Sequence, residues 1–459
     1  MTDYFIEEVN SIKKKLDSVS SSFCLAKWYQ VTIHLQNGHT HSCHHPGTHK
    51  VPSDELVDNP TALHNTQFKK ERRKEMLEGI RPTECQYCWN VEDSPGENFS
   101  DRHIKSAAMW AAPWFDEAVN KPWDDNPNPR YLEVSFGNVC NFKCMYCYPN
   151  ISSQWYEESK QYGPFPTSQN FGSLEHLDYK GTRPIPEREY NPYVEAFWKW
   201  WPDLYNSLHT FRITGGEPLL NKNTFKVLKE INNNPRRELE LAINTNMCVP
   251  DKNFNKFISL IIPITAKLDN VGVFTSLEAT HKKAEWIRYG LDYNKFWENI
   301  SRLQTEVPKL HIDFMCTYNA LSVSSFTDFL KKIYELRNSL PWDEPWHPPL
   351  MVSVPYLRNP SFLTIKILDN TFEKYIIESI MFMEEHRGDE DTPGFISHEI
   401  EMMTRLLNWF RTIENEQQLK INRTDFVKYV DEYDKRRSTN FLETFPEYTD
   451  FYNRCKALC

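Results

Sequence analysis

The sequence predicts an α/β protein built on a parallel sheet, with a small cysteine-bearing region before it and a helical extension after it. Three observations carry that prediction. Strand-like segments rich in β-branched and aromatic residues recur at 131–136, 211–214, 239–246, 271–278, 310–317 and 350–355, with helical stretches between them. Such alternation argues for right-handed crossovers between parallel strands. The chain has 459 residues, more than one ordinary core holds. Its eleven cysteines fall in clusters rather than evenly.

Composition excludes several classes. A 40% hydrophobic share with 28 Phe, 22 Tyr and 14 Trp is not that of a disordered chain. A net charge of −10 gives no general attraction to nucleic acid. No apolar run reaches the roughly 18 residues of a membrane helix, so no membrane partner is expected. The N-terminus has no signal-peptide core, and a cytoplasmic location follows. In that compartment clustered cysteines point to metal or redox chemistry rather than disulfides.

In chain order, "MTDYFIEEVNSIKKKLDSV" is an amphipathic helix. In "CLAKWYQVTIHLQNGHTHSC" (24–43), Val31, Ile33 and Leu35 alternate as on a half-buried strand. Asn37-Gly38 then signals a two-residue hairpin turn. That return brings Cys24 and Cys43 together, and "ECQYCW" adds Cys85 and Cys88, completing a set of four thiols. His39, His41, His44, His45 and His49 read as loop histidines, and "KKERRKEM" (69–76) as a solvated helix face. The Pro-rich "NKPWDDNPNPRY" (120–131) reads as a linker. "YLEVSF" is a buried strand, and the loop after it carries Cys140, Cys144 and Cys147. Loops after strands are where α/β folds place chemistry. Three close thiols suit an iron–sulfur cluster or zinc, and three ligands leave a fourth position open.

Residues 151–208 form a long aromatic insertion ("EAFWKWWPDLY"), which reads as plain core packing or a substrate-facing lid. "TFRITGGEPLLN" (210–221) is a strand running into a Gly-Gly-Glu-Pro turn. There Gly215 and Gly216 permit close backbone approach, Glu217 is an acceptor for a cation, and Pro218 starts a helix. "SLPWDEPWHPPL" (339–350) reads as the loop before the last strand, and the chain beyond about 365 as helical. Lone Cys248 and Cys316 lie at strand ends; Cys455 and Cys459 share a terminal helix face.

A C-x3-C-x-aromatic-C loop followed some 70 residues later by a GGEP turn resembles the radical S-adenosylmethionine (radical SAM) enzymes. The resemblance implies a partial (β/α)6 barrel, with its site at the C-terminal ends of the strands. It implies that Cys140, Cys144 and Cys147 hold a [4Fe–4S] cluster whose fourth iron binds S-adenosylmethionine. It places Tyr146 near the adenine. Thr214, Gly215, Gly216, Glu217 and Pro218 would lie around the methionine amino group. Asn244, Thr245 and Asn246 match the family's threonine–asparagine strand end. Ser276 would face the ribose or carboxylate, and Arg288 the carboxylate. Glu278-Ala279 stands where the family often carries Asp-Gly.

The spacing C-x13-G-x4-C from Cys24 through Gly38 to Cys43, with Cys85 and Cys88, resembles the twitch and SPASM auxiliary-cluster domains, here placed ahead of the core. It implies a second iron–sulfur cluster; a zinc ribbon on the same four thiols is the alternative. The expected organisation is an N-terminal helix (1–22), a twitch/SPASM-like domain (23–125), the barrel (126–362) and a helical extension (363–459). The expected function is reductive cleavage of S-adenosylmethionine and hydrogen abstraction from a substrate, as in a peptide-modifying maturase, with a flavodoxin- or ferredoxin-like electron donor. A small-molecule or sugar-modifying enzyme is the alternative within the class, and a zinc-stabilised binding protein the alternative outside it.

Overall fold

The computed structural model describes residues 3–96, 98–340, 350–388 and 392–459. Most of the Pro-rich stretch expected before the last strand, 341–349, lies outside the described residues. A single nine-stranded sheet organises the chain, in the order Leu350–Ser353, His311–Met315, Asn270–Thr275, Glu240–Thr245, Thr210–Thr214, Tyr131–Ser135, Gln30–His34, His39–His41, His49–Lys50. Six of its strands are those expected from the sequence: β4 (Tyr131–Ser135), β6 (Thr210–Thr214), β7 (Glu240–Thr245), β8 (Asn270–Thr275), β10 (His311–Met315) and β11 (Leu350–Ser353). Each is parallel to its neighbour, and helices Lys222–Asn233, Asp251–Thr265, Tyr293–Glu306 and Phe326–Ser339 make four of the crossovers. The mostly parallel sheet is consistent with a partial barrel.

Strands covered on both faces read as continuous apolar runs. These do not. Leu132, Val134, Phe211, Ile213, Leu241, Ile243, Val271, Val273, Ile312 and Phe314 are buried against the helices. The alternate positions are mostly polar or small, Phe274 and Met351 excepted, and line a cavity of about 320 Å³, with Tyr131, Thr210, Arg212, Ala242, Gly272 and Asp313 in its wall. One face of the sheet is therefore core and the other is a lumen.

The N-terminal region extends this sheet. β1 (Gln30–His34) runs parallel to β4, and β2 (His39–His41) and β3 (His49–Lys50) complete an antiparallel edge. β1 is interior and buried on both faces rather than half-buried. The expected two-residue hairpin turn is instead a four-residue loop, because His34 pairs with His39. Leu35 is drawn away to hydrogen-bond the Ser135 carbonyl at 2.9 Å, which lengthens the loop. Gly38 in that loop has φ +69°, and a Cβ there would meet the Tyr193 ring at 2.0 Å. Around the four N-terminal cysteines lies a second apolar cluster, with Ile12 and Leu16 of helix Asp3–Val19, Phe23, Trp28, Met76 and Trp89.

Of the two readings of the aromatic insertion, its helix bears out core packing. Helix Pro192–Ser207 buries Phe197, Trp200 and Leu204 in the main core, and Trp200 donates its indole N–H to Asn128. Among the described residues no helix is long and apolar enough to cross a membrane.

Candidate active site

The loop after β4 is tied to its surroundings at every cysteine. The Cys140 N–H donates to Ser153 Oγ at 3.1 Å, and the Phe142 N–H points at Cys140 Sγ at 3.4 Å. Cys144 sits in β5 (Lys143–Cys144), which pairs antiparallel with β9 (Arg288–Tyr289), so that Cys144 faces Arg288 across the ladder. The Cys144 carbonyl accepts from the Cys147 N–H at 2.9 Å and from the Trp155 indole at 2.8 Å. The three thiols are half-buried and repel one another's charge. Burial, and then the Cys144 thiolate, push Cys140 up to about 12. At neutral pH such groups are thiols unless a metal core displaces the protons. A fourth thiol, Cys248, lies on an adjoining loop but turns its S–H to the Asp292 carbonyl at 3.3 Å. The donor set is thus three soft ligands, which fits a cluster holding one iron open.

Two networks surround these thiols. In the first, the GGEP turn docks on the cysteine loop. The Glu217 N–H donates to the Val139 carbonyl at 2.7 Å, and Gly216 N–H to the Gly137 carbonyl at 3.3 Å. A Cβ on Gly216 would stand 2.4 Å from the Val139 oxygen, and Gly215 has φ +124°. The glycines therefore serve the approach of one loop to the other. Glu217 is 2% exposed; Oε1 accepts from the Leu219 N–H at 2.9 Å and Oε2 from the Asn246 N–H at 2.6 Å. Burial raises its pKa to about 7 against the pull of those donors. Pro218 opens a 3₁₀ turn, and Asn221 caps the helix after it. Asn246 Nδ2 donates to Asn141 Oδ1 at 2.8 Å, and the Thr245 hydroxyl accepts from the Met247 N–H at 3.2 Å.

In the second network, Arg288 donates through Nη2 and Nε to Glu278 Oε2 at 2.5 and 2.9 Å. Oε1 of the same carboxylate accepts from the Tyr146 hydroxyl at 3.0 Å. Arg288 Nη1 lies 3.8 Å from Cys144 Sγ. Glu278 is 1% and Arg288 5% exposed. Burial raises the Glu278 pKa, while for Arg288 the neighbouring carboxylate more than offsets burial and holds the charge. Glu278, flagged in the sequence only as a departure from a family pattern, is the hub here. Ser276 follows β8, half-buried.

The lumen residues are those the sequence reading missed. Arg212 donates to Asn244 Oδ1 at 3.0 Å, contacts Met315 Sδ at 3.1 Å, and lies 4.1 Å over the Phe274 ring. Among the described residues it makes no ion pair. Glu133 accepts from the Thr214 hydroxyl at 3.5 Å, Asp313 Oδ2 accepts from Ser353 at 3.0 Å, and burial raises both carboxyl pKa values. The signal was present: charged residues at the alternate positions of "YLEVS", "TFRIT" and "HIDFM" mark a sheet face that is not packed.

Cys24, Cys43, Cys85 and Cys88 line one concavity with Lys27, Arg102 and Lys105. Burial pushes Cys85 and Cys88 up to about 12. Lys27, 2% exposed, pairs with Glu84 and faces Cys85; Arg102, 3% exposed, is held by Glu92 at 3.0 Å and Asp17 at 3.1 Å beside Cys24. One zinc ion needs sulfurs about 2.3 Å from a common point. Among the described residues no three His, Cys, Asp or Glu groups are gathered to hold one ion. The histidines have other partners: His45 binds Asp101 at 2.7 Å, His49 the Thr66 hydroxyl at 2.8 Å, and His39 the Gly181 carbonyl at 3.0 Å. Cys316 and Cys455 are buried, and Cys459 is exposed.

Comparison with known proteins bears on the central site. The GTP 3',8-cyclase of Nautilia profundicola is 28% identical over 116 residues, 25% of this chain and 27% of that protein. The GTP 3',8-cyclase of Campylobacter jejuni is 30% identical over 117 residues, 26% of this chain and 27% of that one. The chain thus spans about a quarter of the length of these curated relatives. The crystal structure of Streptococcus suis SuiB superposes with a TM-score of 0.35 at 13% identity, over 88% of this chain and 77% of that one. Residues 134–333, which hold both networks and the three cysteines, match the model of the Radical SAM superfamily.

Proposed function

We propose that the protein is an enzyme that reductively cleaves S-adenosylmethionine and removes a hydrogen atom from a small polar substrate, or a single peptide side chain, held in the barrel lumen. The carrying observation is the β5–β9 ladder, which sets Cys144 opposite Arg288 while the GGEP turn seats on the same cysteine loop. Cys140, Cys144 and Cys147 would hold a [4Fe–4S] cluster, which when bound would supply the electron for reductive cleavage of S-adenosylmethionine. The chain's own residues bind and orient. Glu217, Asn246 and Asn141 hold the two loops together. Arg288, Glu278 and Tyr146 keep a charged network beside the thiols. Arg212 and Asp313 line a cavity of ordinary ligand size, and with Glu133 and Asn244 beside Arg212 offer a guanidinium and hydrogen-bonding groups to a substrate. A flavodoxin- or ferredoxin-like protein is the electron source we assign.

A peptide substrate is the second reading. It is favoured by the C-x13-G-x4-C spacing, which resembles the auxiliary domains of peptide-modifying enzymes. We assign a second iron–sulfur cluster to Cys24, Cys43, Cys85 and Cys88. All four line one concavity, with buried Lys27 and Arg102 to balance thiolate charge.

The test is Cys140, Cys144 and Cys147 changed together to Ala in anaerobically reconstituted protein. Formation of 5′-deoxyadenosine should vanish, with about four irons retained on the N-terminal thiols. Continued cleavage in the triple variant would overturn the assignment.

A further inference from the structure

"YVDEYDKRR" (429–437) places Tyr429, Tyr433 and Arg437 four residues apart on helix Glu416–Arg437, along one face. Both tyrosines are 0% exposed. Each donates its hydroxyl to a main-chain carbonyl of the cysteine ladder. Tyr429 reaches Met145, the residue after Cys144, at 2.6 Å; Tyr433 reaches Trp286, two residues before Arg288, also at 2.6 Å. The Met145 N–H in turn donates to the Ile287 carbonyl at 2.8 Å. One helix, through phenols one turn apart, grips both strands of the two-stranded ladder. The grip has a further anchor on each side. Trp286 donates its indole N–H to Asp434 at 3.1 Å. Arg437 stacks 3.7 Å over the Tyr433 ring and pairs at 2.9 Å with Glu158, which also takes Lys143 of β5 at 2.7 Å.

A ladder of two residue pairs has no stability of its own. Its register comes from what packs on it, and here that is the C-terminal helix. We propose that helix Glu416–Arg437 is a clamp on the thiol turn. In it Tyr429 and Tyr433 are positioning residues that fix Cys144 and Arg288 relative to each other, and so govern how tightly the turn retains its cluster. The proposal rests on the cluster assignment made above. It gives the C-terminal extension a role in the chemistry although no residue of it touches the reacting groups.

The experiment compares Tyr429→Phe and Tyr433→Phe with a matched control, Tyr448→Phe. Tyr448 is equally buried and donates its hydroxyl to the Ala320 carbonyl at 2.5 Å, away from the ladder. All three changes remove one hydroxyl and leave one buried carbonyl without its donor, so they should lower the melting temperature alike. The discriminating readouts are the rate of iron release to excess chelator and the electron paramagnetic resonance of the reduced cluster that responds to S-adenosylmethionine. Tyr429→Phe should release that cluster's iron roughly 5- to 150-fold faster than Tyr448→Phe, the range that an unsatisfied buried carbonyl commands, and should alter its spectrum. Tyr433→Phe should act in the same direction, so the comparison survives if one variant does not fold. Release rates and spectra equal to those of Tyr448→Phe would overturn the clamp and leave the function standing. A wild-type chain that takes up no iron on reconstitution would overturn both.

Discussion

Whether Arg288 serves a ligand carboxylate or is committed to Glu278 can be decided by a double-mutant cycle. The two side chains are 5% and 1% exposed and meet at 2.5 and 2.9 Å. Removing one partner of a buried pair strands the other's charge, at about 3–5 kcal/mol. Glu278→Gln also disturbs the acceptor of the Tyr146 hydroxyl, and Arg288→Gln loses the contact with Cys144 Sγ. Each single variant should therefore lose about 3 kcal/mol or more in urea unfolding of the anaerobic, metal-free protein. The double variant strands neither charge. It should cost well below the sum, with a coupling of roughly 2–3 kcal/mol, at the upper end for contacting residues. The assay is a set of four urea curves with equal m values, read as shifts in midpoint. Additive losses would refute the reasoning. Arg288 would then be energetically independent of Glu278 and available to a substrate carboxylate, as the sequence resemblance implies.

Three further outcomes are expected. Cys85→Ala with Cys88→Ala should lower iron content while the central site still forms 5′-deoxyadenosine; zinc in the wild-type protein, with no iron lost in the variant, would show a zinc ribbon instead. Gly216→Ala should destabilise by about 1–3 kcal/mol and weaken S-adenosylmethionine binding, because its Cβ would meet main-chain oxygens of Val139 and Asn138 at 2.4 and 2.7 Å; an unchanged melting temperature counts against this loop docking. Glu217 has a folded pKa of about 7 against an ordinary value near 4.5, so its contribution to stability is fully present below about pH 4.5 and is lost as pH rises to 7. The span corresponds to about 3 kcal/mol, and Glu217→Gln should flatten the stability–pH curve between pH 5 and 7.5 by that order; parallel curves for the two proteins would show that this carboxyl does not titrate there.

What the sequence made legible was local and periodic. The six parallel strands could be located because apolar residues alternate within short segments bounded by breakers. The thiol loop and the GGEP turn could be located because their spacing is specific. Roles that depend on tertiary contacts were not legible. Glu217 reads as a free acceptor in "GGEP", yet both its oxygens take main-chain N–H groups, one of them from Asn246, 29 residues away. The aromatic run at 195–205 reads as core or as lid because nothing local says which surface it meets; packing in the main core decides that. "YVDEYDKRR" reads as an ordinary helix face, since a phenol aimed at a carbonyl 284 residues away leaves no local trace.

The placement of the two thiol sets follows from strand direction. β1 and β4 run parallel, so the residues before β1 and those after β4 lie at opposite ends of the same pair of strands. Cys24 precedes β1, and Cys140 follows β4. Cys43 is followed by His44, whose ring packs edge-on to Tyr131 at the first position of β4, and Tyr131 is part of the lumen wall. Five residues of strand separate the two ends, roughly 16 Å at 3.3 Å per residue. A substrate seated on Arg212, at the middle of its strand, would therefore lie between the two sets of thiols. Such an arrangement requires polar groups on the lumen face and a sheet that continues into the N-terminal region; Tyr131, Glu133, Arg212 and Asp313, alternating with buried apolar residues, supply the first, and the pairing of β1 to β4 the second.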